Sequence, residues 1–433
     1  MKEISVILVG AGNRGMSYCK FMMQQEGKYK IVGVADADPV RVEVAREKYN
    51  IPKENCYSSW EEILAQPKMA DLAIIATMDD MHHGPALKAI EVGYDLLLEK
   101  PVAQTAQECA DIALAAQKKG VNVLVCHVLR YTPFFNRIKE MLLEGTIGDV
   151  VSVIHVEAVG NTHYSHSYVR GNWHSEAETT PMLLAKSCHD IDILQWLLDR
   201  PCKKVQSFGS LTKFTPENAP EGAPVRCADG GCPVAETCPY NCRKLYYTGH
   251  QCSAFRNQAT KNIAKGDVAT DEEVEIALKT TDYGLCVYHA NNDVVDHQVV
   301  NMEFEGGGLI SFTMAAFNGW GGSRTIRIMG TKGMLVGKLG DPEIFYDNAA
   351  DGTTEKIPVI GNTGDNTLVG GHGGGDNGIM GTFSYLVTDE YDGLNAATIE
   401  TSCENHMIVF AAEEAREKGT VVSVPEYAAR YGM

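Results

Sequence analysis

Over the first 126 positions, short apolar runs alternate with stretches of helical period. Strands are predicted near 4–9, 30–35, 72–76, 95–98 and 122–126, and helices near 14–25, 39–49, 81–92 and 104–119. This alternation is the pattern of a parallel sheet covered by helices. Gly93 and Gly120 follow the last turns of two of the helices, where a left-handed residue is favoured.

Beyond residue 127 the texture changes to longer alternating strands linked by glycine turns, such as Val151 to Val159, Val299 to Phe304, Leu309 to Ala315 and Thr325 to Met329. The expected fold class is α/β: a dinucleotide-binding domain over 1–126, then an α+β domain over 127–433 on an open, mainly antiparallel sheet. One face of such a sheet needs a cover, and a subunit interface provides it, so a homodimer or homotetramer is expected. Two irregular segments interrupt the second domain. One, near 209–275, is rich in Pro, Gly and Cys, and the other, 361–380, carries glycines around His372. Long irregular stretches of this kind are usually functional or mobile.

The 433-residue length agrees with two domains, since it exceeds what one hydrophobic core usually supports. A formal net charge of −18 leaves no basic surface for nucleic acid or an anionic membrane. No leader pattern opens the chain and no apolar run approaches the roughly 20 residues that span a bilayer. Most of the thirteen cysteines lie singly in apolar segments, as at Cys19, Cys126 and Cys286, and read as reduced thiols of a cytoplasmic protein.

The chemistry begins with Gly10-Ala11-Gly12-Asn13-Arg14-Gly15, directly after the first strand. The first glycine permits a tight turn, the second lets backbone approach a pyrophosphate, and the third allows helix to pack on strand, with the helix N-terminus facing the anion. Asp36 ends the second strand, about twenty residues on, where a carboxylate accepts hydrogen bonds from a ribose diol. It would also repel a 2′-phosphate, which favours NAD over NADP. Asp38 reads as a turn residue before Pro39.

Glu99-Lys100-Pro101 follows the strand Leu96 to Leu98 and so lies at the carboxyl edge of the sheet, where ligands of such folds bind. Lys100 is a candidate acid/base. A second cluster, Lys186-Ser187-Cys188-His189-Asp190-Ile191-Asp192, sits in an apolar-periodic segment and puts Lys186, His189 and Asp192 at i, i+3 and i+6. Between them in the chain lies a polar and aromatic segment from Asn161 to His174. There His163, Tyr168, Arg170 and Trp173 would suit a polyol or glycoside, although the same loop could pack against a neighbouring subunit. Cys227, Cys232, Cys238 and Cys242 form C-x4-C-x5-C-x3-C, a candidate structural zinc site, with free thiols or an iron–sulfur cluster as alternatives and with His250 and Cys252 as substitute ligands.

The chain resembles the Gfo/Idh/MocA family of oxidoreductases. The resemblance rests on the glycine turn, on Ala76-Thr77 with His82, on Glu99-Lys100-Pro101, on His127 to Pro133, on Gly145 to Gly148 and on His189 with Asp192. It implies a Rossmann domain holding NAD or NADP, with cofactor contacts at Gly10, Gly12, Asn13, Arg14, Gly15, Asp36, Thr77, His82 and Glu99. It also implies hydride transfer at a carbinol carbon, with Lys100 and His189 on the proton path and Asp192 beside the substrate. Many members place an aspartate four residues before that histidine. Here Ala185 stands there and Lys186 follows, so Lys186 joins the catalytic candidates.

The expected activity is NAD-dependent oxidation of a secondary alcohol of a sugar, cyclitol or sugar derivative. The alternatives are a glycoside hydrolase that oxidises and re-reduces its substrate on NAD, and a nucleotide-binding sensor without turnover.

Overall fold

The computed structural model describes residues 3–249, 252–261, 263, 268–319, 322–360, 375–388 and 395–433. Its first sheet is built from β1 (Ile4–Val9), β2 (Tyr29–Ala35), β3 (Cys56–Tyr57), β4 (Leu72–Ile75), β5 (Asp95–Leu98) and β6 (Val123–Val125), in the order β3-β2-β1-β4-β5-β6. Every neighbouring pair is parallel. The helices Asn13–Met23, Pro39–Tyr49, His83–Val92 and Ala106–Lys119 cover the sheet. Five strands and four helices thus fall within about two residues of their expected places. The sequence pattern did not reveal β3 or the short helix Trp60–Leu64, because elements of two and five residues carry too little periodicity. Gly93 and Gly120 have φ of 98° and 71°, as C-terminal helix caps require.

The second sheet runs β14-β13-β12-β11-β7-β10-β9-β8-β15. Its strands are β7 (Val150–Gly160), β8 (Cys202–Ser210), β9 (His297–Phe304), β10 (Leu309–Asn318), β11 (Ser323–Gly330), β12 (Gly333–Lys338), β13 (Glu343–Asn348), β14 (Thr354–Pro358) and β15 (Val422–Ser423). All pairs are antiparallel except β7 with β10. Burial alternates along β9 and β10, as it must when one face is covered. The inner face packs with the helices Cys188–Leu198 and Ile399–Lys418, while Ile154, Phe208, Leu309 and Phe317 stand exposed on the strands.

The C-terminal third returns to the first sheet. Val125 N–H donates to Ala397 O at 2.8 Å, Leu124 bridges to Thr398, and Tyr29 Oη donates to Met380 O at 2.9 Å. Between β8 and β9 the cysteine-rich insertion has its own small apolar cluster, including Cys242, Leu245, Tyr246, Phe255 and Val274. The glycine-rich stretch around His372 lies outside the described residues up to residue 374, as does His250.

Candidate active site

Gly10 leaves β1 with φ of 93°, and a side chain there would meet Ala76 O at 2.4 Å. A Cβ on Gly15 would meet Gly10 O at 2.1 Å, so both positions demand glycine for packing. Gly12 differs. It caps the helix Asn13–Met23 without a side chain, and a Cβ there would meet nothing closer than Arg41 at 4.0 Å. The open space lies at a helix N-terminus, where the first N–H groups have no partner within the helix, so the cradle fits a pyrophosphate. Beside it, Asp36 accepts from Ala11 N at 2.8 Å and from Asp38 N at 2.9 Å. Asp38 caps the helix Pro39–Tyr49 through Val40 N, which is the turn role expected of it. Arg41 stands 3.8 Å from Asp36 and 3.5 Å from Asp38.

Arg14 and Glu99, both expected at the cofactor, are tied to each other. Arg14 Nε donates to Glu99 Oε1 at 2.7 Å, and its guanidinium also grips Asp376 and the hydroxyl of Tyr18. Tyr18 Oη donates to the same Glu99 oxygen at 2.6 Å, and Lys100 N to the other at 2.6 Å. Burial alone would raise the Glu99 carboxyl, but Arg14 and Lys100 hold it below the usual carboxylate range. The pair is a scaffold that fixes the backbone at Lys100. Asn13 is exposed at the first turn of its helix. Thr77 Oγ1 donates to Met81 O at 2.9 Å, closing the turn after β4, and the His82 ring joins Thr77 O to Pro101 O at 3.2 and 2.7 Å.

Lys100 leaves the end of β5, and its Nζ donates to Ala185 O at 2.8 Å, reaching the segment that carries the second cluster. Facing it is Asp79, which sequence reasoning did not single out. It is buried, and its Oδ2 accepts from Trp173 Nε1 at 2.8 Å. Burial raises the Asp79 carboxyl, while Lys100 and then His82 act against that rise. His127, at the end of β6, is likewise fully buried. Its ring lies 5.6 Å from those of both His189 and His406, and neither of its nitrogens has a hydrogen-bond partner among the described residues. Desolvation, then Arg130 and Lys100, keep His127 neutral well below the usual histidine range. Its position after a strand at the sheet's carboxyl edge was the available signal.

Lys186 is largely shielded, its side chain 13% exposed, with its Nζ 3.7 Å from Glu157 Oε1. Burial lowers its pKa, and Glu157 opposes this. Below it, Asp190 accepts from Arg324 Nε at 2.7 Å and sits 2.8 Å from His155 Nε2, while Arg324 also reaches Glu157 at 2.9 Å. Asp192, read as a substrate contact, turns away. It is fully buried, paired with Arg130 at 2.8 and 2.6 Å and bonded by Asn405 at 2.7 Å, so its charge is already met.

The Asn161–His174 segment packs largely on the chain's own insertion. His166 bonds Tyr246 and Gln258 and stacks between Phe255 and Tyr283, and Arg170 donates to Leu285 O and Tyr240 O at 2.7 and 2.8 Å. His163 stacks on Phe255 and its ring lies 5.9 Å from that of Tyr168. Tyr168 and Trp173 do approach the site, with rings 6.1 Å apart. A cleft of about 450 Å³ is lined by Met78, Asp80, Gly171, Asn172 and His174, and by Lys261 of the insertion.

The zinc expectation is corrected. Among the described residues no three Cys, His, Asp or Glu side chains are grouped to hold a metal ion. Cys242 packs into the insertion's apolar cluster, where its thiol pairs with that of Cys227 and its backbone N–H donates to Cys227 Sγ at 3.5 Å. Cys252, a substitute ligand, begins a helix and its side chain lies outside the described residues, as His250 does entirely.

Comparison with known proteins matches residues 4–127 to the oxidoreductase family's NAD-binding Rossmann fold and residues 139–424 to its C-terminal alpha/beta domain. The Bacillus subtilis protein YteT, provisionally named an oxidoreductase, is 28% identical over 386 residues, covering 86% of each chain. Inositol 2-dehydrogenase of Salmonella typhimurium is 25% identical over 202 residues, 46% of this chain and 56% of that one. The 2,7-anhydro-N-acetylneuraminate hydratase of Escherichia coli is 26% identical over 47% of this chain and 51% of its own. This chain therefore spans most of YteT but only about half the length of the other two. The fold is shared with an oxidoreductase domain protein of Kribbella flavida, with a TM-score of 0.72 at 16% identity, covering 98% of this chain and 100% of that one. Glycine cradle, two-sheet architecture and matched families agree, and the chain belongs to the Gfo/Idh/MocA family of NAD-binding oxidoreductases.

Proposed function

We propose that the protein oxidises a secondary alcohol of a sugar, cyclitol or sugar derivative with NAD as hydride acceptor. The observation that carries this reading is the convergence of Asp79, Lys100 and His127, which follow β4, β5 and β6, on the segment bearing Lys186 and His189. Bound NAD supplies the site that takes up hydride. Lys100 exchanges the hydroxyl proton, held in place by Glu99 through the backbone and by Ala185 O. His189 and Lys186 line the opposite wall, where an imidazole and a desolvated amine orient hydroxyls. Asp36 favours NAD over NADP, and exposed apolar side chains on the second sheet support a homodimer or homotetramer. Two relatives point the same way: one is named an inositol dehydrogenase, and a similarly folded WlbA dehydrogenase is described in complex with NADH and UDP-GlcNAcA.

A second reading is redox-cycling cleavage, in which NAD is reduced and re-oxidised within one turnover. It is favoured by Lys186, a second buried base candidate, and by a relative named as a hydratase. The test exposes protein and NAD to free sugars, cyclitols and aryl glycosides, recording NADH and released aglycone together. NADH accumulation with a free polyol supports the dehydrogenase. Aglycone release without net NADH replaces it with the cycling reaction, and silence in both channels rejects both for these substrate classes.

A further inference from the structure

The cysteine-rich insertion encloses a cavity of about 190 Å³, several times the volume of one water molecule. Cys227 lines it and is half-buried, whereas Cys242 is fully buried. The two thiols are paired, and Cys242 N–H also donates to Cys227 Sγ at 3.5 Å. Contacts on both sides hold the two sulfurs together. Arg226 and Leu285 form an antiparallel bridge just before Cys227, and Arg243, just after Cys242, donates through Nη2 to Ala228 O at 2.9 Å.

A second observation concerns Arg170, which lines the same cavity. It is 3% exposed, two of its nitrogens are used on carbonyls, and Nη1 is buried with no partner among the described residues. Glu236 also reaches the cavity, but its side chain is exposed and faces Lys244. A buried guanidinium without a counter-anion is strongly unfavourable, and a thiolate at Cys227 supplies the missing charge. Donation from the Cys242 thiol lowers the Cys227 thiol to about 6 against the opposing effect of burial, with the Cys242 N–H, Arg170 and Arg243 on the same side. Burial pushes the Cys238 and Cys286 thiols the other way.

We propose that Cys227 and Cys242 form an oxidisable dithiol, in which Cys227 attacks a hydroperoxide that enters the cavity and Cys242 resolves the product. In the first step Cys227 Sγ forms a bond to one peroxide oxygen as the O–O bond breaks, and the other oxygen leaves with a proton from solvent. Arg170 Nη1, a buried donor without a partner among the described residues, is available to the departing oxygen. In the second step Cys242 Sγ displaces the hydroxyl of the sulfenic acid, so that an S–S bond forms and the Cys242 proton leaves in water. The two sulfurs together give up two electrons, which the peroxide accepts, and a small thiol reductant returns them by exchange. None of these groups takes part in the hydride reaction, so the site stands apart from the proposed activity. The disulfide would staple the turn at Cys227 to the segment that begins at Cys242.

The test uses the full chain, reduced and desalted, with mass-spectrometric mapping of every cysteine. At pH 7 iodoacetamide should label Cys227 about tenfold faster than Cys238 or Cys286 in the folded protein, because the thiolate is the nucleophile. One equivalent of hydrogen peroxide should make the chain two hydrogens lighter and join Cys227 to Cys242, a link that dithiothreitol reverses. C242S should stop at a sulfenic acid on Cys227 that dimedone traps, and C227S should give neither product. Faster labelling at another cysteine, Cys227 joined to any other thiol, a mass unchanged by peroxide, or thiols that react only after a chelator strips bound metal would each overturn the proposal. The linkage map of the unaltered chain decides alone if C242S does not fold.

Discussion

The indole N–H of Trp173 donates to Asp79 Oδ2 at 2.8 Å, joining the segment that follows β7 to the turn after β4. The two residues are far apart in sequence and follow strands of different sheets, so their bond ties the second domain to the turn that carries Asp79 beside Lys100. A carboxyl raised by burial and held between Lys100 and His82 is suited to steady the lysine charge or to share its proton.

Trp173→Phe keeps the ring and removes the donor. Loss of one hydrogen bond to a buried carboxyl should lower kcat/KM by about tenfold or more, about 1.5 to 3 kcal/mol. Because this bond favours the charged form of Asp79, its loss should shift the acidic limb of the pH profile upward. An unchanged pH profile with only KM altered would assign Trp173 to packing.

Lys100→Met should reduce turnover by about 10² to 10⁴-fold while NAD affinity, measured by calorimetry, stays within about threefold. Equal losses in both would mean that Lys100 serves the cofactor and not the proton.

Asp36→Ala removes a carboxylate that Arg41 approaches at 3.8 Å. NAD binding should weaken by about tenfold, the loss of one charged hydrogen bond, and NADP should gain as Arg41 becomes available to a phosphate. Steady-state KM values for both cofactors check this, and unchanged preference would remove Asp36 from the ribose site.

Arg130→Met leaves Asp192 buried without its bidentate partner. Stability measured by urea unfolding should fall by about 3–5 kcal/mol. A loss under 1 kcal/mol, with altered substrate KM, would instead restore Asp192 to the substrate.

His406 is fully buried, and burial followed by His127 lowers its pKa from 6.5 to about 3. Its Nδ1 faces Ser402 O at 2.7 Å while Val102 N–H donates to Nε2 at 3.1 Å, so a second ring proton would destroy an accepting role. A depressed histidine stabilises the fold above its unfolded pKa and loses that contribution as pH falls below it. By pH 5.5 His406 should have removed about 1.4 kcal/mol, and His406→Gln should flatten the stability curve between pH 7 and 5.5. An unchanged slope would reject the assignment.

The first sheet was legible because its strands are apolar throughout and its helices begin and end at recognisable residues, such as Asp38 and Gly93. The glycine turn was legible because sterics leave Gly10 and Gly15 no substitute. Asp79 was not, since an aspartate in a polar turn looks like any turn residue until Trp173 arrives from the second domain. Spacing alone likewise grouped Asp192 with Lys186 and His189, whereas its charge is met by Arg130, sixty-two positions away, and by Asn405. Short-range periodicity reports which face a residue occupies, not which distant partner occupies it first.

The Arg14–Asp376 ion pair spans 362 positions, and Val125 bonds to Ala397. A ribosome that has released only the nucleotide-binding half has therefore not yet made the residues that anchor it. Such long-range closure slows folding, and during synthesis the early half must wait, its cradle roughly formed but unclamped, until the last helices emerge. Maturation order, and not only the finished geometry, is written into where Asp376 falls in the chain.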